Sequence, residues 1–243
     1  MRLDKLLANS GYGTRSEVKD ILRSGRVRLR EEVLTDPAFQ IAEEQARFLT
    51  LDGQPIISSR YLYYCLYKPD ECLTAMSDDR LFCVGDLLPP SLRTKKISPV
   101  GRLDYHTTGV LLLTNDGELS HRLTSPKWHQ KKVYLVTYSG DALTEKEVVL
   151  FSKGMTLTEA GHAPEKLKPA ELILLSDQQC RLTLTEGKTH QVKRMLAATG
   201  RSVIALHRES MGSLTLHEGQ KPGEMYALSS EEIEALIRPT LNP

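Results

Sequence analysis

Four consecutive apolar residues, Val110 to Leu113, stand between Gly109 and the turn triplet Asn115-Asp116-Gly117. The run is short for a helix, and turn chemistry closes it at one end, so it reads as a buried strand. The flanking segments suit it. "YLYYCLYKP" is strand-like and ends at Pro69, while "KKVYLVTYSG" alternates Val133 and Leu135 against Tyr134, Val136 and Tyr138. "PAELILLS" and "CRLTLTEG" suggest neighbouring strands, and "VGDLLPP" a short turn with a proline-rich loop. Helices are expected at "ELSHRLTSP", stopped before Pro126, and at "ALTEKEVVLFSKG". "THQVKRMLAATG" puts Val192, Met195, Leu196 and Thr199 on one helical face, and Ser229 with Glu232 forms a capping box for "IEALI". Strands and helices do not alternate regularly. That order predicts an α+β fold with a mixed or antiparallel sheet, not a doubly wound sheet or a barrel.

The front of the chain is different. In "MRLDKLLANSGYGTRSEVKDILRSGRV", Leu3, Leu6 and Leu7 form one apolar stripe, and Val18, Ile21 and Leu22 form another. Thr14 and Glu17 fit a capping box at the start of the second helix, with Gly25 as its stop. At a helical step of about 100° per residue, Arg15, Lys19, Arg23 and Arg26 fall on one narrow arc, with Asp20 outside it. Like charges at this spacing repel mildly, so a polyanion such as RNA or DNA is a natural counterpart. An ordinary solvated face is the plainer alternative. Short strands are expected at "RVRL", "AFQI", "ARFLTLDG" and "QPII", with Asp52-Gly53 as a turn. The expected organisation is a small basic module over 1–58, a linker over 59–61 and a larger domain over 62–243.

Net charge is +1, so a nucleic-acid surface has to come from local clusters of Lys and Arg. Such excess occurs in "KWHQKK" and across residues 181–210. The four cysteines, Cys65, Cys72, Cys83 and Cys180, form no CxxC and are expected to be reduced, partly buried thiols. The opening "MRLDKLLANS" is charged and amphipathic, unlike a leader, and no apolar run approaches the roughly 20 residues that span a membrane. A cytoplasmic protein with no membrane partner is expected.

One acid stands out by position. In "GRLDYHTTGVLLLTNDGEL", Asp104 precedes the apolar run and Arg102 precedes Asp104. A turn or cap residue is the commonest role for such an aspartate. A metal site needs convergent ligands, and Asp104 with His106 has no clear third and fourth partner. The glycines do not make a phosphate-binding loop, because no Gly-Lys-Ser/Thr follows. Composition leaves a structural acid and a nucleophile both open.

The ordered motifs carry a resemblance. The front segment resembles the S4 RNA-binding domain, which implies RNA contacts by Arg15, Lys19, Arg23 and Arg26; the chain departs from that family's hairpin turn at "VRLREEV". "GRLDYHTTGVLLLTNDGEL", "KKVYLV", "EGKTHQVKRMLAATG" and "LHRESMG" resemble, in order, the motifs of the RsuA-like pseudouridine synthases. That resemblance implies isomerisation of a uridine in ribosomal RNA without a cofactor or metal, with Asp104 as nucleophile, Tyr134 against the flipped base and Lys193 paired with Asp104. A buried carboxylate without a cation tends to stay protonated and attacks poorly, which gives Lys193 its purpose. Arg102, Lys131, Lys132, His190, Gln191, Arg194 and Arg208 are implied as RNA contacts. "GKTHQVKRM" resembles the branch acting on small-subunit RNA, free or in a partly assembled subunit, and a monomer is expected. The alternatives are a non-catalytic RNA-binding assembly factor, a synthase acting on large-subunit RNA, and an unrelated RNA hydrolase or ligase.

Overall fold

The computed structural model describes residues 1–10, 12–46, 48–56, 61–93, 95–125, 128, 130–158 and 163–237. The chain forms two compact units, Met1–Leu62 with Leu88–Ile97, and Tyr63–Leu87 with Ser98–Pro243. The segment Leu88–Ile97, expected within the second domain, belongs to the first unit. The expected linker lies outside the described residues except for Tyr61.

In the first unit, helices α1 (Leu3–Asn9) and α2 (Arg15–Arg23) pack through Leu3, Leu7, Val18 and Leu22, all buried. Thr14 accepts from the Glu17 amide at 3.3 Å, and Glu17 accepts from the Thr14 amide at 2.7 Å, completing the expected capping box. Strand β1 (Val27–Leu29) pairs with β2 (Glu32–Val33) through a tight turn in which Arg30 takes φ +56°. So the hairpin forms despite the unusual turn sequence. After the short helix α3 (Glu43–Ala46), β3 (Leu49–Leu51) pairs with β1 and with β4 (Gln54–Pro55). The Asp52-Gly53 turn has both φ positive, +52° and +78°, as a right-twisted hairpin requires. "AFQI" is not a strand: the Asp36 carboxylate accepts from the Ala38 amide at 2.8 Å, turning the chain, and only Gln40 bridges, to Arg2. "LPP" is not simply loop either, since Pro90 opens helix α4 (Pro90–Arg93) at a position where its missing N–H costs nothing.

The second unit is built on a mixed sheet. Its elements are β5 (Tyr63–Lys68), β6 (Ser98–Pro99), β7 (Thr107–Thr114), α5 (Gly117–Thr124), β8 (Lys132–Ser139), α6 (Glu145–Ser152), β9 (Thr156–Leu157), β10 (Glu165–Lys166), β11 (Glu171–Ser176), β12 (Gln179–Leu184), α7 (Gln191–Ala197), β13 (Ser202–Met211), β14 (Leu214–Thr215), β15 (Met225–Ala227) and α8 (Ser230–Ile237). The main sheet runs β11-β12-β8-β13-β7-β5-β15, with β14 on β13 and β6 on β7. Strands β13 and β7 are parallel and the other described pairs antiparallel, which is the α+β architecture expected. Val110 to Leu113 are fully buried in β7, and Val110 and Leu112 share a core with Leu119 and Leu123 of α5 and Leu236 of α8. Gly109 pairs with Arg208 at the β7–β13 crossing, where a Cβ would stand 2.2 Å from the Arg208 carbonyl oxygen. Its φ of +107° makes the position doubly glycine-specific. Among the described residues, no helix is long and apolar enough to cross a membrane.

Candidate active site

The loop entering β7 is pinned from beneath. Lys68, at the end of β5 and fully buried, donates from Nζ to the carbonyls of Pro69 (3.0 Å), Tyr105 (3.1 Å) and Thr107 (2.9 Å). All three donors of its ammonium are used. Burial pulls the Lys68 pKa down, and the charges of Asp70 and Asp104 partly offset that. On the other side the Thr74 hydroxyl donates to the Leu103 carbonyl at 2.6 Å and accepts from the Leu103 amide at 3.2 Å. Together these bonds fix the backbone on both sides of Asp104, whose own carbonyl accepts from the Thr107 amide at 3.0 Å.

The Asp104 side chain is 28% exposed and meets two cationic candidates. Lys193 Nζ, from the first turn of α7, lies 3.4 Å from Oδ2, and His190 Nε2 lies 3.7 Å from Oδ1. His190 precedes the helix in the left-handed region, φ +50°, a conformation that carries backbone strain for a residue other than glycine. The pairing of Asp104 and Lys193 is thus present in the geometry, and His190 stands beside the same acid.

Asp104 opens onto a cavity of about 150 Å³, a size that takes a benzene ring in other proteins. Tyr134 and Lys132, both facing inward from β8, line it with Arg208 of β13. Tyr134 is 8% exposed and stands opposite Arg208 across the strand pair. Arg102 is exposed at the rim. Lys132, expected on a surface phosphate track, is instead an inward group whose Nζ lies 3.4 Å from the Glu186 carbonyl. Burial, with the Arg208 charge beside it, pulls its pKa down to about 8. Among the described residues no three His, Cys, Asp or Glu side chains converge as a metal site.

Several expected RNA contacts have other work. Gln191 is buried and donates to Glu186 Oε1 at 2.8 Å while accepting from the Lys188 amide at 2.9 Å, so it braces the loop before α7. Arg194 pairs with Glu165 at 2.7 Å, and Lys188 shares that acid at 2.9 Å. Arg181 is held by Glu209 at 2.6 Å, and Arg201 by Glu147 at 3.1 Å. Arg208 is only 2% exposed. The phosphate track expected over 181–210 is therefore mostly neutralised by acids distant in sequence, which spacing does not disclose. Lys131 remains exposed, and Lys127 and His129 lie outside the described residues. In the first unit Arg15, Lys19 and Arg23 are exposed along α2. Arg26 is corrected: α2 ends at Arg23, so it lies beyond the helix, and its guanidinium is clamped by Asp52. Lys68 and Thr74 went unnoticed in the sequence, where a lysine before proline and a loop threonine carry no distinguishing pattern.

A fixed acid paired with a lysine, beside an inward tyrosine in a base-sized cavity, suits an enzyme that works on a single nucleobase. The comparisons agree: residues 62–198 match the RNA pseudouridylate synthase family and residues 1–46 the S4 domain. The chain is 39% identical over 243 residues to the uncharacterized RNA pseudouridine synthase YtzG of Bacillus subtilis, covering 98% of this chain and 99% of that one. It is 37% identical over 239 residues to ribosomal small subunit pseudouridine synthase A of Escherichia coli, covering 98% and 100%. A crystal structure of a pseudouridylate synthase superposes with a TM-score of 0.68 at 36% identity, over 98% of this chain and 100% of that one. The chain belongs to the RNA pseudouridine synthases. Within them it is an RsuA-like member carrying an N-terminal S4 domain.

Proposed function

We propose that the protein converts one uridine of small-subunit ribosomal RNA to pseudouridine in the cytoplasm, acting as a monomer on free RNA or on a partly assembled subunit. The observation that carries the chemistry is the Asp104–Lys193 pair at the cavity lined by Tyr134. The choice of RNA is supported by the full-length similarity to small subunit pseudouridine synthase A and by "GKTHQVKRM".

The reaction breaks the N1–C1′ bond, turns the base and joins C5 to C1′; the C5 proton leaves and N1 ends protonated. Nothing is oxidised or reduced. The target nucleotide has to leave its stack to reach the cavity. Asp104 attacks the sugar or the base, Lys193 holds the carboxylate charged and oriented, and Tyr134 stacks on the base. Arg15, Lys19 and Arg23 hold RNA phosphates through charge, while Arg102 and Lys131 contact the backbone nearer the site.

The test is carbodiimide–primer-extension mapping of small- and large-subunit RNA after incubation with wild type and with Asp104→Asn. One new stop in small-subunit RNA, with wild type alone, is expected. A stop only in large-subunit RNA would overturn the substrate, and a stop retained by Asp104→Asn would overturn the nucleophile. Tight binding without any stop, on naked RNA or on assembling particles, would favour a binding factor.

A further inference from the structure

Arg208 enters the cavity as a buried cation with incomplete hydrogen bonding. Its Nε donates to the Val110 carbonyl at 2.8 Å, but Nη2, sealed from solvent, has no partner among the described residues. A buried guanidinium nitrogen left unmatched is costly, and such groups concentrate where a ligand supplies the partner. The fold goes to some length to seat it. Gly109 lets β7 and β13 approach closely enough to set the Arg208 backbone, and Tyr134 fills the opposite position on β8. Lys132 lines the same cavity and is destabilised as a cation by burial and by Arg208. Asp104, meanwhile, has its own partners in Lys193 and His190.

The missing partner can be read from the reaction, and the inference rests on the reading given above. If the N1–C1′ bond breaks first, its electron pair goes to the base and spreads over O2 and O4. If the carboxylate first adds at C6, the displaced pair goes to O4. Both routes put negative charge on a uracil carbonyl oxygen; forming the C5–C1′ bond removes it, loss of the C5 proton brings it back, and protonation of N1 finally discharges it. A phosphate would sit at the backbone, outside a cavity of this size, and would be met by exposed, adaptable donors. We infer that Arg208, which lines the cavity, donates from its guanidinium to a carbonyl oxygen of the flipped uracil and stabilises the negative charge that builds there, with Lys132 adding field from the same wall. Donors preset where charge develops act chiefly on the rate of the chemical step.

The experiment is single-turnover kinetics on the mapped RNA, with binding measured at several salt concentrations. Arg208→Gln and Arg208→Lys are compared with wild type. Loss of one such donor is expected to slow conversion at saturating RNA by about 10²- to 10³-fold, leaving affinity and its salt dependence unchanged. Weakened binding with a shallower salt slope and an intact rate would overturn the inference in favour of a phosphate contact. Because Arg208 also bonds Val110, so that its substitution can disturb folding, a second measurement uses wild type alone. Target RNA carrying 2-thiouridine or 4-thiouridine replaces one carbonyl oxygen with a poorer acceptor. One of the two substrates is expected to react at least about tenfold more slowly than the other, and equal rates would refute the contact. If wild type converts no uridine in the unsubstituted RNA, the proposed function fails and this inference falls with it.

Discussion

Asp104 and Lys193 are 3.4 Å apart although they lie in separate elements, the loop before β7 and the first turn of α7. The lysine is 37% exposed on its side chain, so truncating it removes a charge without opening the core. Lys193→Met is expected to lower the single-turnover rate by about 10²-fold or more, as for loss of one charged contact to a reacting group. RNA affinity should change little, and Lys193→Arg should recover part of the rate. Equal rates for Lys193→Met and wild type would show that the carboxylate needs no cation from α7.

Lys68 supports the same acid from behind. Its ammonium is the common donor to three carbonyls of the loops around Asp104. Lys68→Met keeps the apolar stem but leaves buried acceptors unmatched, which is expected to cost about 2–4 kcal/mol. Denaturant titration checks that. Turnover should fall at saturating RNA as well, because the loop that aims Asp104 loses its anchor. A variant as stable and as active as wild type would mean that the loop is held by Thr74 alone.

The sequence was most legible where pattern and local chemistry coincide. The buried run of β7, the alternation of β8, and the boxes at Thr14 and Ser229 all depend on residues close in sequence. The long strand β13 went unread because its alternation is interrupted by His207, Arg208 and Glu209, whose places depend on strands far away in the chain. Motif order drew Asp104, Tyr134 and Lys193 together, and the fold places Asp104 and Tyr134 on one cavity with Lys193 3.4 Å from the acid. Local excess of Lys and Arg said nothing about Glu165 or Glu147, which the fold brings beside Arg194 and Arg201. Arg26 was misread because the helical step was carried past Gly25, whose φ of +72° ends the helix.

Lys132 predicts a pH dependence. Its pKa in the fold is about 8, lowered from 10.5 chiefly by burial. The unfolded chain therefore binds the proton more tightly, and below pH 8 the buried charge subtracts from stability. As pH rises from about 8 to 10.5 the folded protein has already lost the proton, and the penalty fades until both states are neutral. Lys132→Met removes the penalty while keeping a similar shape. At pH 7 the variant is expected to melt about 2–4 °C above wild type, with the difference shrinking between pH 8 and 10.5. Paired melting curves across that range check the sign, and a difference that grows with pH would contradict it. Activity should fall in the same variant, since Lys132 lines the cavity.

Arg23 and Arg26 separate the two readings of the basic arc. Arg23 is exposed on α2 and meets Asp20 at 3.4 Å in a pair whose partners are 68% and 74% exposed, so the contact holds it weakly. Arg26 is committed to Asp52 by Nε and Nη2 together. If α2 tracks phosphates, Arg23→Glu weakens RNA binding at low salt and flattens the salt dependence by about one counterion or more. Arg26→Gln is expected to have the smaller effect on binding, because its charge is already spent within the unit. The measurement is affinity for the mapped RNA at four or more salt concentrations. A steeper loss at Arg26 than at Arg23 would move the RNA surface off α2 and onto the β3–β4 corner where Asp52 lies.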